Sequence, residues 1–199
     1  MNRKLSYGTP IVSRLIVTTL LMLVSTYGWS LDLETVLENT AVTPPSRVGF
    51  VEQRFNRLLK EPMVLTGYLE YVETGQLRKV IESPFAEAFF ITEDYIEIER
   101  GGKTRRLSMS KSKSMRAMFG GIEAILAGQA NKLTSLFQYE LSGTSSAWII
   151  RLEPLSRRVS AHLTEMLVEG DEDSVNSIRL EFEDEDWSLM ELLYSETEP

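Results

Sequence analysis

From residue 48 onward, apolar and polar positions alternate in short runs. In Val48-Gly49-Phe50-Val51-Glu52-Gln53-Arg54-Phe55 the period is close to two, the mark of a half-buried strand. Residues 64–72 are rich in β-formers, Glu73-Thr74-Gly75-Gln76 is a turn, and residues 77–82 read as a strand closed by Ser83-Pro84. Residues 87–91, 95–100 and 104–109 continue this meander, with turns at Glu93-Asp94 and Gly101-Gly102. Strands resume at 137–141, 147–152 and about 159–169. A final hairpin pairs 175–183 with 187–194 and has acidic ends at Asp171-Glu172-Asp173 and Asp184-Glu185-Asp186. About eleven short strands of this kind predict a sandwich or a curved, partly closed barrel.

Two segments follow a helical period instead. Leu33, Val36 and Leu37 share one face of a short helix that Thr43-Pro44-Pro45-Ser46 ends. Across residues 114–127, Met115, Met118, Phe119, Ile122, Ile125 and Leu126 recur at spacings of three and four, which makes one apolar stripe. Gly120-Gly121 sits inside it and costs about 1 kcal/mol per glycine relative to alanine. Gly128 reads as the helix end, and residues 131–136 as a further helical turn. The stripe fits an ordinary core helix or a lid facing a ligand. Two adaptable methionines, two glycines that make the helix easy to reshape, and its place inside an all-strand chain favour the lid.

The N-terminus changes the picture of where the chain works. Arg3, Lys4 and Arg14 are the only charges before Asp32, an apolar run of about ten residues follows, and small residues stand at Gly28 and Ser30. That order predicts a cleavable secretory signal over residues 1–30, with a signal anchor as the competing reading; the run is short of the roughly 20 residues a membrane span needs. Residues 31–199 are then expected to form one exported domain. Removing residues 1–30 takes away three basic and no acidic residues, leaving a net charge of −11.

Composition narrows the chemistry. The 199 residues carry 29 acidic and 21 basic side chains, a balance that argues against nucleic-acid binding. With no cysteine there are no disulfides, thiolate metal sites or thiol catalysis, and with His162 as the one histidine a multi-histidine metal centre is impossible. His162 has no Gly-x-Ser-x-Gly elbow to serve and reads as a strand-surface residue. Asp171-Glu172-Asp173 lacks the glycine and distal glutamate of a calcium loop, and Gly101-Gly102-Lys103-Thr104 lacks the spacing of a phosphate loop. Lys79, Arg105 and Arg106 could bind anionic head groups, but an outward strand face is the simpler reading. No catalytic residue, cofactor or metal is expected.

The order of these parts resembles the LolA/LolB-type lipoprotein carriers. The matching pieces are Phe50-Val51-Glu52-Gln53-Arg54-Phe55, Leu65-Thr66-Gly67-Tyr68-Leu69, residues 77–84, Ile122-Glu123-Ala124-Ile125-Leu126-Ala127-Gly128, residues 136–141, residues 148–154 and the hairpin 178–193. The resemblance implies a mainly β fold with helices: a strongly curved, incomplete antiparallel β-barrel under an α-helical lid. It also implies an apolar cavity for acyl chains. The candidate lining is Phe50, Leu65, Leu69, Leu77, Phe89 and Ile91 on the wall, with Met115, Met118, Phe119, Ile122, Ile125 and Leu126 on the lid. The implied role is a periplasmic, monomeric carrier in a Gram-negative envelope. It would take a lipoprotein or other acylated passenger from an inner-membrane donor complex to an outer-membrane acceptor. An accessory lipid-binding subunit of a glycolipid or polyene export system is the alternative. Where such carriers often have Arg-Pro at the hairpin before the third strand, this chain has Thr74-Gly75, with Arg78 nearby.

The leader reading is checked by intact mass. Protein recovered from the periplasm should have the mass of residues 31–199, whereas a full-length membrane-bound species would mark an anchor.

Overall fold

The structure, a computed structural model, describes residues 31–194; the leader reading falls outside them. Helix α1 (Leu33–Asn39) is capped by Asp32, whose carboxylate accepts from the Thr35 N–H at 3.0 Å. Six strands follow: β1 (Ser46–Phe55), β2 (Met63–Glu73), β3 (Gln76–Ser83), β4 (Glu87–Ile91), β5 (Tyr95–Arg100) and β6 (Lys103–Ser108). The helical insert comprises a 3-10 turn (Met109–Lys111), α2 (Lys113–Leu126) and α3 (Ala130–Leu136). Then come β7 (Phe137–Thr144), β8 (Ala147–Pro154), a short α4 (Arg157–Ser160), β9 (Leu163–Asp171), β10 (Ser174–Phe182) and β11 (Trp187–Leu193). The strand expected from about residue 159 therefore begins later. The Arg157–Ser160 segment coils instead, and His162 stands exposed in the turn before β9 rather than on a strand.

All eleven strands form one antiparallel sheet in the order β6-β5-β4-β3-β2-β1-β11-β10-β9-β8-β7. Each neighbour is a sequence neighbour except β1 and β11. The free edges are consequently β6 and β7, the two strands that the helical insert connects.

One face of the sheet carries the apolar positions. Along β8, Trp148, Ile150 and Leu152 are buried while Ala147, Ile149 and Arg151 are exposed. Helix α2 lies on this face and packs into two clusters at once. Ala117, Ala124 and Ile125 join Ile150 of β8 and Met166 of β9, while Phe119 joins Leu77 of β3 and Ile96 of β5. In a flat sheet β5 and β8 would be roughly 38 Å apart at ~4.8 Å per strand. A 14-residue helix is only about 21 Å long. The sheet must curl around α2 for both clusters to form, which makes it an incomplete barrel whose gap the insert spans.

The two glycines of α2 differ in what surrounds them. A Cβ on Gly121 would stand 2.8 Å from the Phe137 ring, which is fully buried, so this glycine lets α2 approach β7 closely. At Gly120 a Cβ would meet only the end of Leu136, at 3.0 Å. Gly121→Ala is expected to destabilise by about 1 kcal/mol or more, overpacking outweighing the gain in helix propensity, and Gly120→Ala to be neutral or stabilising. Chemical unfolding of the two variants checks this.

Candidate functional site

Beneath the C-terminal half of α2 the concave face holds an apolar cavity of about 130 Å³. Ile122, Ile125 and Leu126 roof it, and Val48, Leu69 and Leu77 form part of its wall. Val48 is on the same side of β1 as Phe50, and Leu69 pairs with it across the β1–β2 ladder, so the alternation of both strands presents these side chains inward. The volume is close to that of an apolar cavity that holds a benzene-sized molecule, so it admits a few methylenes with α2 in place.

The other candidate residues share this face without lining that cavity. Phe50 and Leu65 are fully buried with Ile81. Phe89, Ile91 and Met115 pack around Phe119, Leu77 and Ile96. Met118 packs on the β8–β10 side of α2. Sequence reasoning placed the wall only on strands preceding the helices and so missed Val175 and Ile178 of β10 and Leu192 of β11, which line the cavity too. The pairing of β1 with β11 puts these late strands beside the early ones, and no local pattern announces that pairing. The linker Thr40–Val42 also lines the cavity.

Helix α2 is held by polar contacts at its C-terminal end. The Leu126 carbonyl accepts from the Val42 N–H at 2.8 Å. Gly128, at φ 67°, ends the helix where a Cβ would press on Ala41 at 3.0 Å. Glu123 is buried and accepts from Lys132 of α3, whose amine also lies 3.5 Å from Glu93 in the β4–β5 turn. Burial lowers the Lys132 pKa, but the hydrogen bond and charge of Glu123 outweigh it and the net shift is upward. Arg78 does not fasten the helix: it faces Glu70 across the β2–β3 ladder, 3.7 Å away.

A second, polar cluster occupies the same face at the far end of β1. The reading of Lys79 as an outward residue is corrected here. It reaches from β3 across β2 to the carboxylate of Glu52, which is only 2% exposed. The short turn between β2 and β3 sets this register, with Lys79 opposite Leu69 and therefore inward. Glu52 also accepts from Arg54 at 2.9 Å and from the Ser188 hydroxyl at 2.6 Å. Burial pushes the Glu52 carboxyl up, but the charges of Lys79 and Arg54 and the hydrogen bonds from Lys79 and Ser188 carry it below the ordinary carboxylate value. Burial dominates at Lys79 and lowers its pKa despite Glu52. Arg106, by contrast, pairs with Glu97 at 2.7 Å on an exposed part of β6.

His162 donates its backbone N–H to Val159 and its carbonyl accepts from Glu183; no side-chain hydrogen bond of His162 contributes to a catalytic arrangement among the described residues. Among those residues no three His, Cys, Asp or Glu side chains converge as metal ligands.

The profile of the family described as outer membrane lipoprotein carrier protein LolA-like matches residues 26–187. No curated protein matches the chain. Among solved structures, a LolA superfamily protein from Nitrosomonas europaea is similar over 83% of this chain and 95% of its own, at 10% identity and a TM-score of 0.43. A DUF1329 family protein from Desulfovibrio piger is similar over 84% and 92%, at 11% identity and a TM-score of 0.46. A putative outer membrane lipoprotein-sorting protein domain from Vibrio parahaemolyticus is similar over 84% and 95%, at 10% identity and a TM-score of 0.42.

The lowered Glu52 pKa has a definite sign. The stability it contributes is present above the unfolded carboxylate value and is lost as pH falls through the folded one. Glu52→Gln is expected to be less stable than the wild type by about 2 kcal/mol near neutrality, and the gap should narrow between about pH 6 and about pH 3. Urea unfolding at the two pH values measures it.

Proposed function

Because the chain belongs to the outer membrane lipoprotein carrier LolA-like family, we propose that it binds the acyl chains of a lipoprotein or lipid-like passenger under α2 and carries it across the periplasm. The observation that carries this reading is the apolar cavity roofed by Ile122, Ile125 and Leu126 in the gap of an unclosed sheet. Its closed volume is small, so α2 moves outward to admit a chain. Phe89, Ile91, Met115, Met118 and Phe119 then become further lining, and Phe50 and Leu65 form the floor. Burying about eight methylenes contributes roughly 6 kcal/mol at ~0.8 each, before the costs of association. Binding of that strength permits both capture and release, and needs no catalytic group.

In this reading the passenger comes from an inner-membrane donor complex and goes to an outer-membrane acceptor. Residues 1–30 direct export, and residues 31–199 act as one carrier domain. No helix among the described residues is long and apolar enough to cross a membrane. A specific observation supports a second reading, in which the passenger is a glycolipid or polyene and the protein serves an export system. The helix is latched by Val42, Lys132 and Glu93 rather than by an arginine at the β2–β3 hairpin.

Ile122 packs on both clusters and lines the cavity, which makes Ile122→Glu the informative variant. A carboxylate there has no partner and is costly to bury against lipid. Binding of a fluorescent acyl probe per folded molecule is expected to weaken at least about tenfold, while the melting temperature falls less than for a core lesion of about 2–4 kcal/mol. A large loss of melting temperature with unchanged binding per folded molecule would return α2 to the role of a core helix.

A further inference from the structure

The charged cluster on the concave face has no packing reason to exist. Breaking such a cluster at one partner is costly, but replacing the whole of it by apolar residues of like volume is commonly neutral or stabilising, so it gives no stability that an apolar core would not. This one borders a second cavity of about 350 Å³, lined by Glu52, Arg54 and Lys79 on one side and by Met118 and Leu180 on the other.

In the buried part of the cluster two cations meet one carboxylate, and the second carboxylate of the lining, Asp186, stands apart at the rim. Arg54 and Lys79 both converge on Glu52, and the next carboxylate along, Glu87, is engaged by Arg100 at 3.8 Å. Glu52 spends one oxygen on Arg54 and Ser188 and the other on Lys79. It is therefore a fixed anchor for the two cations. Arg54 uses Nε and Nη2 on Glu52, and at 40% exposure its outer edge faces the cavity with donors to spare. Asp186 stands at the rim, where its carboxylate accepts from the Arg57 N–H at 3.0 Å.

The two cavities lie along one line. Val48 lines the apolar one, Arg54 lines the polar one, and Phe50 lies between them on the same side of β1 with the Lys79 amine 5.0 Å from its ring. Met118 covers the polar cavity and Ile122 the apolar one, one helical turn further along α2. From Val48 to Arg54 is roughly 20 Å of strand.

We propose that the polar cavity is a head-group site, in which Arg54 and Lys79, held by Glu52, receive the anionic carboxylate or phosphate of an acylated ligand whose chain runs under α2. The inference rests on the acyl-binding reading above and adds the charge of the ligand to it. Phe50 is the partition that turns aside when one ligand occupies both cavities. A charge-assisted contact to a half-buried guanidinium gives the anion its preference over a neutral head of equal length.

The test uses charged and neutral probes matched in chain length: 11-(dansylamino)undecanoic acid against its methyl ester, and dodecyl phosphate against dodecanol. Calorimetry or fluorescence titration compares wild type, Arg54→Gln, Arg54→Lys and, as a surface control, Arg57→Gln. The wild type and Arg57→Gln are expected to prefer at least one charged probe over its neutral partner by about tenfold. Arg54→Lys should keep most of that ratio, and Arg54→Gln should bring it to about threefold or less. A preference confined to the acid or to the phosphate identifies the head and supports the site. Equal binding of charged and neutral partners by the wild type overturns the head-group site while leaving acyl binding intact. So does an undiminished preference in Arg54→Gln, or binding of inorganic phosphate alone as tightly as dodecyl phosphate. Failure to bind any of the four probes overturns the acyl-binding reading itself, and the head-group site with it.

Discussion

Seven residue pairs, from Gly49 opposite Leu193 to Phe55 opposite Trp187, join the first strand of the sheet to the last. Without them the chain would be two meanders, one of six strands and one of five, each with two open edges. With them the two meanders become one sheet, and its edges move to β6 and β7. Those strands are linked by the helical insert, so the insert is bound to lie across the opening. The linkage costs loop-closure entropy, because the paired segments stand more than a hundred residues apart. Burial on the concave face offsets it.

Curvature then follows from the helix. Helix α2 presents apolar residues on more than one side, and a flat sheet could cover only one of them. Curling lets β3 and β5 take Phe119 while β8, β9 and β10 take Ala117, Ala124 and Ile125. Gly121 permits the closest part of this contact, against Phe137. The side chains at the middle of the stripe, Ile122 above all, belong to both halves and therefore face the space where the halves do not meet. The cavity is the residue of that geometry: a concave sheet and a straight helix leave a gap between them.

The concave face is divided by chemistry as well as by shape. One end is lined by aliphatic and aromatic side chains, and the other holds Lys79 and Arg54 on the carboxylate of Glu52. In a closed barrel of this width such charges would be an expensive core. At the end of an unclosed one they keep a partly solvated cavity beside an apolar one, as suits a molecule with a head and a chain. The latch of α2, made by Val42, Lys132 and Glu93, lies at the other end, near the apolar cavity.

Much of this was legible in the order of residues. The period-two runs marked the strands, and the spacing of Met115, Phe119, Ile122 and Leu126 marked the helix, because alternation and helical repeat are local properties of a chain. Alternation left open which side of β1 and β2 turns inward, because a one-residue slip reverses it and the polar Glu52 and Arg54 share the Phe50 side. Misreadings arose where the deciding neighbour was remote. The strand expected from about residue 159 starts at Leu163, because Val159 and Ser160 close the short helix α4. Gly121 weakens the helix by its own propensity, and its packing reason, Phe137, lies sixteen residues on. Lys79 looked like a surface cation because a lysine on a strand gives no sign of a carboxylate two strands away. Local pattern alone marks most of the strands and helices and the apolar stripe of α2, since those depend on neighbours within a few residues. Folding in three dimensions is what brings β1 to β11, puts Val175, Ile178 and Leu192 in the wall and carries Lys79 and Ser188 to Glu52. Those contacts join residues far apart in the chain, and nothing local encodes their distance.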